Sequence, residues 1–110
     1  MFLNLKNKNA IVTGGSHGIG LETAKTLASE GCNVCIISRD KKKLLNAKKE
    51  IDKFDVDCHI LEADVLSDED ISRTTDQLKK IWDEIHILVN NVGGGGRWGN
   101  EDILQNSQTY

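Results

Sequence analysis

Eight residues, Thr13-Gly14-Gly15-Ser16-His17-Gly18-Ile19-Gly20, join an apolar run to an amphipathic segment, and their spacing suits the holding of phosphate. Gly14 lets the chain leave a strand through a tight turn that a Cβ would obstruct. Gly18 allows the backbone to approach a pyrophosphate closely, and Gly20 removes a side chain where the helix crosses the strand. The helix then offers unpaired N–H groups and the positive end of its dipole to phosphate oxygens. A glycine trio alone is a weak signal; its place between a strand and a helix is what gives it force.

A second group of residues, Ser38-Arg39-Asp40, follows the next apolar run. In a dinucleotide site an acidic side chain at this point hydrogen-bonds the 2′-hydroxyl of NAD, whereas an arginine pairs with the 2′-phosphate of NADP. Ser38 closes the run and is not acidic, and Arg39 comes next. A guanidinium holds phosphate through a bidentate pair, with His17 as a weaker donor nearby. NADP(H) is therefore favoured over NAD(H). Two other readings stay open: Arg39 as an ordinary surface arginine, and Asp40 turned to the ribose, which would favour NAD(H).

Rival chemistries are tested by what surrounds these groups. Gly15 to Gly20 has the glycine spacing of an NTP-binding loop, but Leu21-Glu22 follows where Lys-Ser/Thr is required, which disfavours an NTPase. A loop for S-adenosylmethionine and a purely structural glycine turn are the remaining alternatives. Cys32-x-x-Cys35 invites a redox or zinc reading. A redox pair needs its first thiol at a helix N-terminus, and this pair enters an apolar strand instead. Cys58 and His59 do not supply a second spaced pair for zinc. Small buried side chains are the expected role.

The elements that must position these groups alternate along the chain. Ala10 to Val12 is a short strand, and Gly20, Ala24, Leu27 and Ala28 recur at helical spacing until Gly31, a C′ glycine. Val34 to Ile37 is β-branched and too short for a helix. Asp40 is placed to cap a helix with Leu44, Ala47 and Ile51 as its buried stripe. Val56 to Leu61 is a third strand. Ser67 with Asp70 is a capping-box-like start to a helix facing inward through Ile71, Thr75, Leu78, Ile81 and Trp82. Ile85 to Val89 is a fourth strand, apolar enough to be buried on both faces, with His86 a satisfied structural histidine. The order β-α-β-α-β-α-β implies an α/β, Rossmann-type doubly wound parallel sheet.

Composition sets the outer bounds. The chain has 110 residues, 38% apolar and 28% charged, with a formal net charge of −3. That is one soluble, globular domain without the basic footprint of a nucleic-acid binder. Lys41-Lys42-Lys43 and Lys48-Lys49 are its basic clusters, expected on a solvated helix face. No stretch approaches the roughly 18 apolar residues of a membrane span. The first residues lack the apolar core of a secretory signal, and three cysteines fit a reducing, cytoplasmic setting.

With these residues assembled, the chain resembles the short-chain dehydrogenases/reductases. Thr13-Gly14-x-x-x-Gly18-x-Gly20 is similar to that family's T-G-x-x-x-G-x-G signature, Asn90-Asn91-Val92-Gly93 to its N-N-A-G, and Asp64-Val65 to the acidic-aliphatic pair after the third strand. In style it is nearest to the 3-oxoacyl-carrier-protein reductases. The resemblance implies that Gly14, Ser16, His17, Gly18, Ile19 and Gly20 line the adenosine phosphates and pyrophosphate. It implies that Ser38 and Arg39 meet the adenine ribose and its 2′ substituent. Asp64, with the Val65 backbone beside it, would accept from the adenine amino group. Asn90 and Asn91 would brace the sheet near the nicotinamide-side ribose, and Gly93 would keep that wall open.

The departures from the family pattern shape what is expected of the chain. Val92 replaces an alanine, and the run from Gly93 to Gly96, then Arg97-Trp98-Gly99, reads as a loop at an active-site mouth or as a plain surface connection. The family's proton transfer uses a serine, an asparagine and a tyrosine with a lysine four residues on, the lysine lowering the tyrosine pKa. Tyr110 is the sole tyrosine and no lysine follows it, and Asn106 and Ser107 have no stronger claim. Residues 1–110 are thus expected to be the N-terminal part of one dinucleotide-binding domain, with the catalytic part missing. The whole enzyme would transfer hydride between nicotinamide and a small carbonyl or alcohol substrate. A non-catalytic nucleotide-binding module or sensor is the alternative. The apolar fourth strand would leave an exposed edge, so a homo-oligomer or a complementary segment is expected to cover it.

Overall fold

The computed structural model describes residues 4–91. Its elements run β1 (Asn9–Thr13), α1 (Gly18–Ser29), β2 (Asn33–Ser38), α2 (Lys41–Ile51), β3 (Cys58–Glu62), α3 (Asp68–Ile81) and β4 (Ile87–Asn90). The four strands are all parallel, in the order β3-β2-β1-β4. The reversal of direction across β1 makes this one half of a Rossmann-type doubly wound sheet, with ligands expected outside the carboxyl ends of the strands.

Alternation along the strands divides the core into two layers. Ala10, Val12, Val34 and Ile36 point to one face, where Ala24 and Ala28 of α1 and Leu44, Ala47 and Ile51 of α2 cover them. Ile11, Cys35 and Ile37 point to the other, against Ala63 and Leu78. Leu44, Ala47 and Ile51 are the stripe expected of α2. The end of α1 is a Schellman turn: Gly31, at φ 93°, donates to Ala28 O and Cys32 donates to Leu27 O. Cys32 and Cys35 belong to opposite faces of the sheet, which separates the two thiols of the Cys-x-x-Cys spacing.

Three boundaries or faces differ from expectation. β3 begins at Cys58 rather than Val56, since pairing with β2 starts at Val34 opposite Cys58. The buried residues of α3 are Thr74 and Leu78; Ile71 is 45% exposed, and Thr75 turns outward with its hydroxyl donating to Ile71 O. Nothing among the described residues reaches over the sheet to cover Ile71, and a polar group satisfied by its own helix gains little from burial. The third difference is β4, which starts at Ile87 rather than Ile85 and lies at a sheet edge with Leu88 47% exposed, so burial on both faces is not met among the described residues. His86 is satisfied as expected: its Nδ1 accepts the Asn9 N–H at 3.0 Å, and its own N–H donates to Asn9 O.

Candidate nucleotide-binding site

The strand order sets the carboxyl ends of β1, β2 and β3 side by side, and the loops leaving them enclose an open cleft of about 960 Å³. The β1–α1 loop forms one wall. Gly14, at φ 66°, turns the chain off β1 while its N–H donates to Ile37 O at 2.8 Å. Gly18, at φ 57°, starts α1 with open space where a Cβ would point, which leaves its backbone accessible. Gly20 is required for a different reason than strand crossing. A Cβ there would run into the Gly14 carbonyl and lie 2.8 Å from Asn91 Nδ2.

The N-terminus of α1 is unfilled. His17 occupies the N-cap position with extended backbone and makes no side-chain cap, and the first turn carries no acidic residue. Its N–H groups and dipole therefore face the cleft uncompensated, the arrangement that attracts an anion. Ile19 is 77% exposed beside them.

The second wall comes from β2 and α2. Arg39 is exposed on the cleft and makes no hydrogen bond or ion pair with the described residues, and Lys41 and Lys43 line the same cleft. Those two lysines are expected chiefly on a solvated helix face, with a weak phosphate or partner patch as the lesser reading. Their place near Arg39 follows from α2 starting at Lys41, directly after the strand end. Asp40 is engaged: one carboxylate oxygen accepts the Lys43 N–H at 3.1 Å and caps α2. Ser38 Oγ accepts from Ser16 Oγ at 3.0 Å and from the Asp40 N–H at 3.3 Å. Ser16 is buried behind the loop rather than lining the cleft.

Asp64 and Val65 form the third wall. Asp64 Oδ1 accepts the Leu66 N–H at 2.9 Å, and the Asp64 N–H donates to Asp70 Oδ2 at 2.7 Å. That backbone bond, opposed by some desolvation and supported by the Arg73 guanidinium, holds the Asp70 carboxyl below its ordinary range. Asp70 thus ties down the Asp64 turn rather than completing a reciprocal capping box with Ser67, whose hydroxyl does accept the Asp70 N–H at 3.3 Å.

At the floor, Thr13 joins β1 to the end of β4. Its hydroxyl donates to Asn90 Oδ1 at 2.9 Å, and the Asn91 N–H donates to Thr13 O at 3.2 Å. Thr13, part of the glycine motif, was not expected as a contributor; its β-strand position opposite Asn90 is the signal that finds it. The cleft therefore gathers Gly14, His17, Gly18, Ile19, Ser38, Arg39, Asp64, Val65 and Asn91, with Ser16, Gly20 and Asn90 supporting from behind. Gly93, the Gly93–Gly96 run, Asn106, Ser107 and Tyr110 lie outside the described residues.

The cysteines make no part of this site. Burial pushes the Cys35 thiol up to about 12 and Cys58 to about 11, and raises Cys32 as well. Thiols so raised stay protonated and unreactive near neutral pH.

Comparison with known proteins bears on this geometry. The family model described as short chain dehydrogenase matches residues 8–109. A very-long-chain 3-oxoacyl-CoA reductase of Kluyveromyces lactis is 43% identical over 89 residues, covering 80% of this chain and 26% of its own. A 3-oxoacyl-[acyl-carrier-protein] reductase of Aquifex aeolicus is 36% identical over 94 residues, covering 84% of this chain and 38% of its own. Among solved structures, L-sorbose reductase from Gluconobacter frateurii, complexed with NADPH and L-sorbose, superposes with a TM-score of 0.82 at 31% identity, covering 87% of this chain and 37% of that one. NAD+-bound xylitol dehydrogenase superposes with a TM-score of 0.75 at 28% identity, covering 78% and 33%. The chain spans about a quarter of the length of the K. lactis relative. No helix among the described residues is long and apolar enough to cross a membrane.

Proposed function

The chain belongs to the short-chain dehydrogenase family, and from that premise we propose that it is the NADP(H)-holding part of an oxidoreductase acting on a carbonyl or alcohol. The observation that carries this reading is the pairing, across one cleft, of an uncapped helix N-terminus with Arg39, while Asp40 spends a carboxylate oxygen on α2. The first feature suits a pyrophosphate and the second a 2′-phosphate. With one oxygen engaged at the helix cap, Asp40 keeps a single oxygen to offer a ribose hydroxyl, and the adjacent Arg39 guanidinium favours a phosphate there.

In this reading Gly14, His17, Gly18, Ile19 and Gly20 serve the phosphates, three of them by leaving room for the backbone to approach, with Ser16 supporting the loop from behind. Ser38 and Arg39 serve the ribose and its 2′-phosphate, with Lys41 and Lys43 adding positive charge. Asp64 keeps one carboxylate oxygen available for the adenine amino group, beside Val65. Asn90, held by Thr13, and Asn91 serve the nicotinamide-side ribose, with Gly93 beyond them. The bound cofactor supplies or accepts the hydride; the protein positions it and manages the proton. The chain covers 26% of the K. lactis relative, so the proton-handling serine, tyrosine and lysine are assigned to the part of the family's length that it does not match.

Among the described residues β4 is an edge strand, which supports a covering partner, either a complementary segment or a second copy of the chain. Three free cysteines fit a cytoplasmic setting. Titration of the wild type and Arg39→Ala with NADPH and NADH tests the cofactor assignment. NADPH should bind more tightly, and the substitution should weaken NADPH about tenfold or more while leaving NADH unchanged. Equal affinities, unmoved by the substitution, would contradict it.

A further inference from the structure

We infer that Lys48 and Arg73 close the β3 edge of the sheet, so that a second copy of the chain cannot add its own β3 there. Neither side chain needs a bound nucleotide to do this. Among the described residues β3 is an outer strand, and Cys58-His59-Ile60-Leu61-Glu62 is apolar enough to attract a like strand. The Val34 N–H donates to Asp57 O and the Ala63 N–H donates to Ser38 O, both at 2.9 Å. Asp57, His59, Leu61 and Ala63 therefore turn their backbone groups towards β2. Cys58, Ile60 and Glu62 turn theirs to the open side.

The two outer carbonyls of that open row are taken by cations reaching in from opposite faces of the sheet. Lys48 Nζ, from α2, donates to Cys58 O at 2.9 Å, and the Arg73 guanidinium, from α3, donates to Glu62 O at 3.0 Å. Each cation is also tethered to a carboxylate one turn away on its own helix, Lys48 to Asp52 at 3.0 Å and Arg73 to Asp70 at 3.4 Å. An incoming strand would have to bring its N–H groups to these same carbonyls, and a charged donor already holds each of them more strongly than an amide would. Between the two, Ile60 alone keeps its backbone groups open, on a groove of about 730 Å³ that Leu44 and Gln77 also line. One open residue falls short of the roughly three that the shortest ordinary strands use. Two copies about a twofold axis would otherwise pair β3 with β3. Pairing of copies is thereby left to the β4 side of the sheet.

The test is sedimentation velocity of the full chain carrying Lys48→Met/Arg73→Met, which removes both donors and keeps long side chains. Lys49→Met/Lys79→Met makes the same change of charge and apolar surface at exposed positions of the same two helices. The first pair should self-associate about tenfold or more tightly than wild type, and the second should match wild type. Lys48→Arg/Arg73→Lys, which keeps two charged donors, should also match wild type. Exchange of the Ile60 amide, followed by NMR, should slow on association of the first pair, because that N–H points out of the sheet. Should Lys48→Met/Arg73→Met melt below the working temperature, Lys48→Met and Arg73→Met alone read the same edge, each with a smaller rise. The inference is overturned if association is unchanged in the folded Met variants, or if the Lys49/Lys79 control rises equally. A rise that leaves the Ile60 amide exchanging as fast as in wild type would overturn it as well.

Discussion

At the start of α3, Ser67 accepts the Asp70 N–H at 3.3 Å, and Asp68, Glu69 and Asp70 set three carboxyl groups in the first turn. At the start of α1, His17 makes no side-chain cap and the first turn holds no acid. Both helices begin with the same orphaned N–H groups and the same positive dipole end. α3, like α2 with Asp40, completes its own terminus from local sequence. α1 leaves its terminus open, and that terminus faces the cleft beside Arg39. The difference separates a helix start completed by its own side chains from one that leaves its N–H groups without a side-chain partner.

The comparison can be broken most severely at Gly20. A Gly20→Val side chain would drive into the Gly14 carbonyl and the Asn91 side chain, so the α1 start would shift. The expected cost is about 2–3 kcal/mol of stability together with loss of measurable NADPH binding, read by thermal melting and titration. Giving α1 the cap its neighbours possess is the sharper test. His17→Asp should stabilise the fold by about 1 kcal/mol while weakening NADPH about tenfold or more, because the new carboxylate fills and opposes the anion site. A variant gaining stability and keeping its affinity would show that the open terminus has no ligand role.

The converse change belongs to α3. Ser67→Ala should lose about 1 kcal/mol of stability, with NADPH affinity staying within about twofold. The smallest expected effect concerns acid. The Asp70 carboxyl is held below its ordinary range, so its contribution is fully present above the unfolded value and is lost as pH falls through the lower folded value. Melting curves of wild type and Asp70→Asn should differ at pH about 6 and converge as pH falls from about 4 downwards. Curves that stay equally far apart in acid would assign the Asp70 effect to something other than its charge.

Much of this was legible where the determinants are local. Asp40 followed by Leu44, Ala47 and Ile51 specifies a capped amphipathic helix by itself, and Gly31 marks a C-terminus by its tolerance of positive φ. The glycine loop and Ser38-Arg39 are near-neighbour patterns of the same kind. What the sequence hid depends on what lies across the fold. Ile71 follows the helical period of a buried stripe, yet burial requires a covering surface that periodicity does not supply. The placing of Lys41 and Lys43 in one cleft with Asp64 and Val65 needs the strand order that sets the β2 end against the β3 end. The hydrogen bond between Ser16 and Ser38 joins residues 22 positions apart.

The central claim is that one dinucleotide spans both features, its pyrophosphate at the open α1 terminus and its 2′-phosphate at Arg39. Phosphorus NMR of NADP+ titrated with the protein resolves these groups separately. Wild type should shift the pyrophosphate and 2′-phosphate resonances together, and Arg39→Ala should return the 2′-phosphate towards its free position while the pyrophosphate still shifts. A 2′-phosphate resonance unmoved by wild type, with the pyrophosphate shifted, would contradict the account.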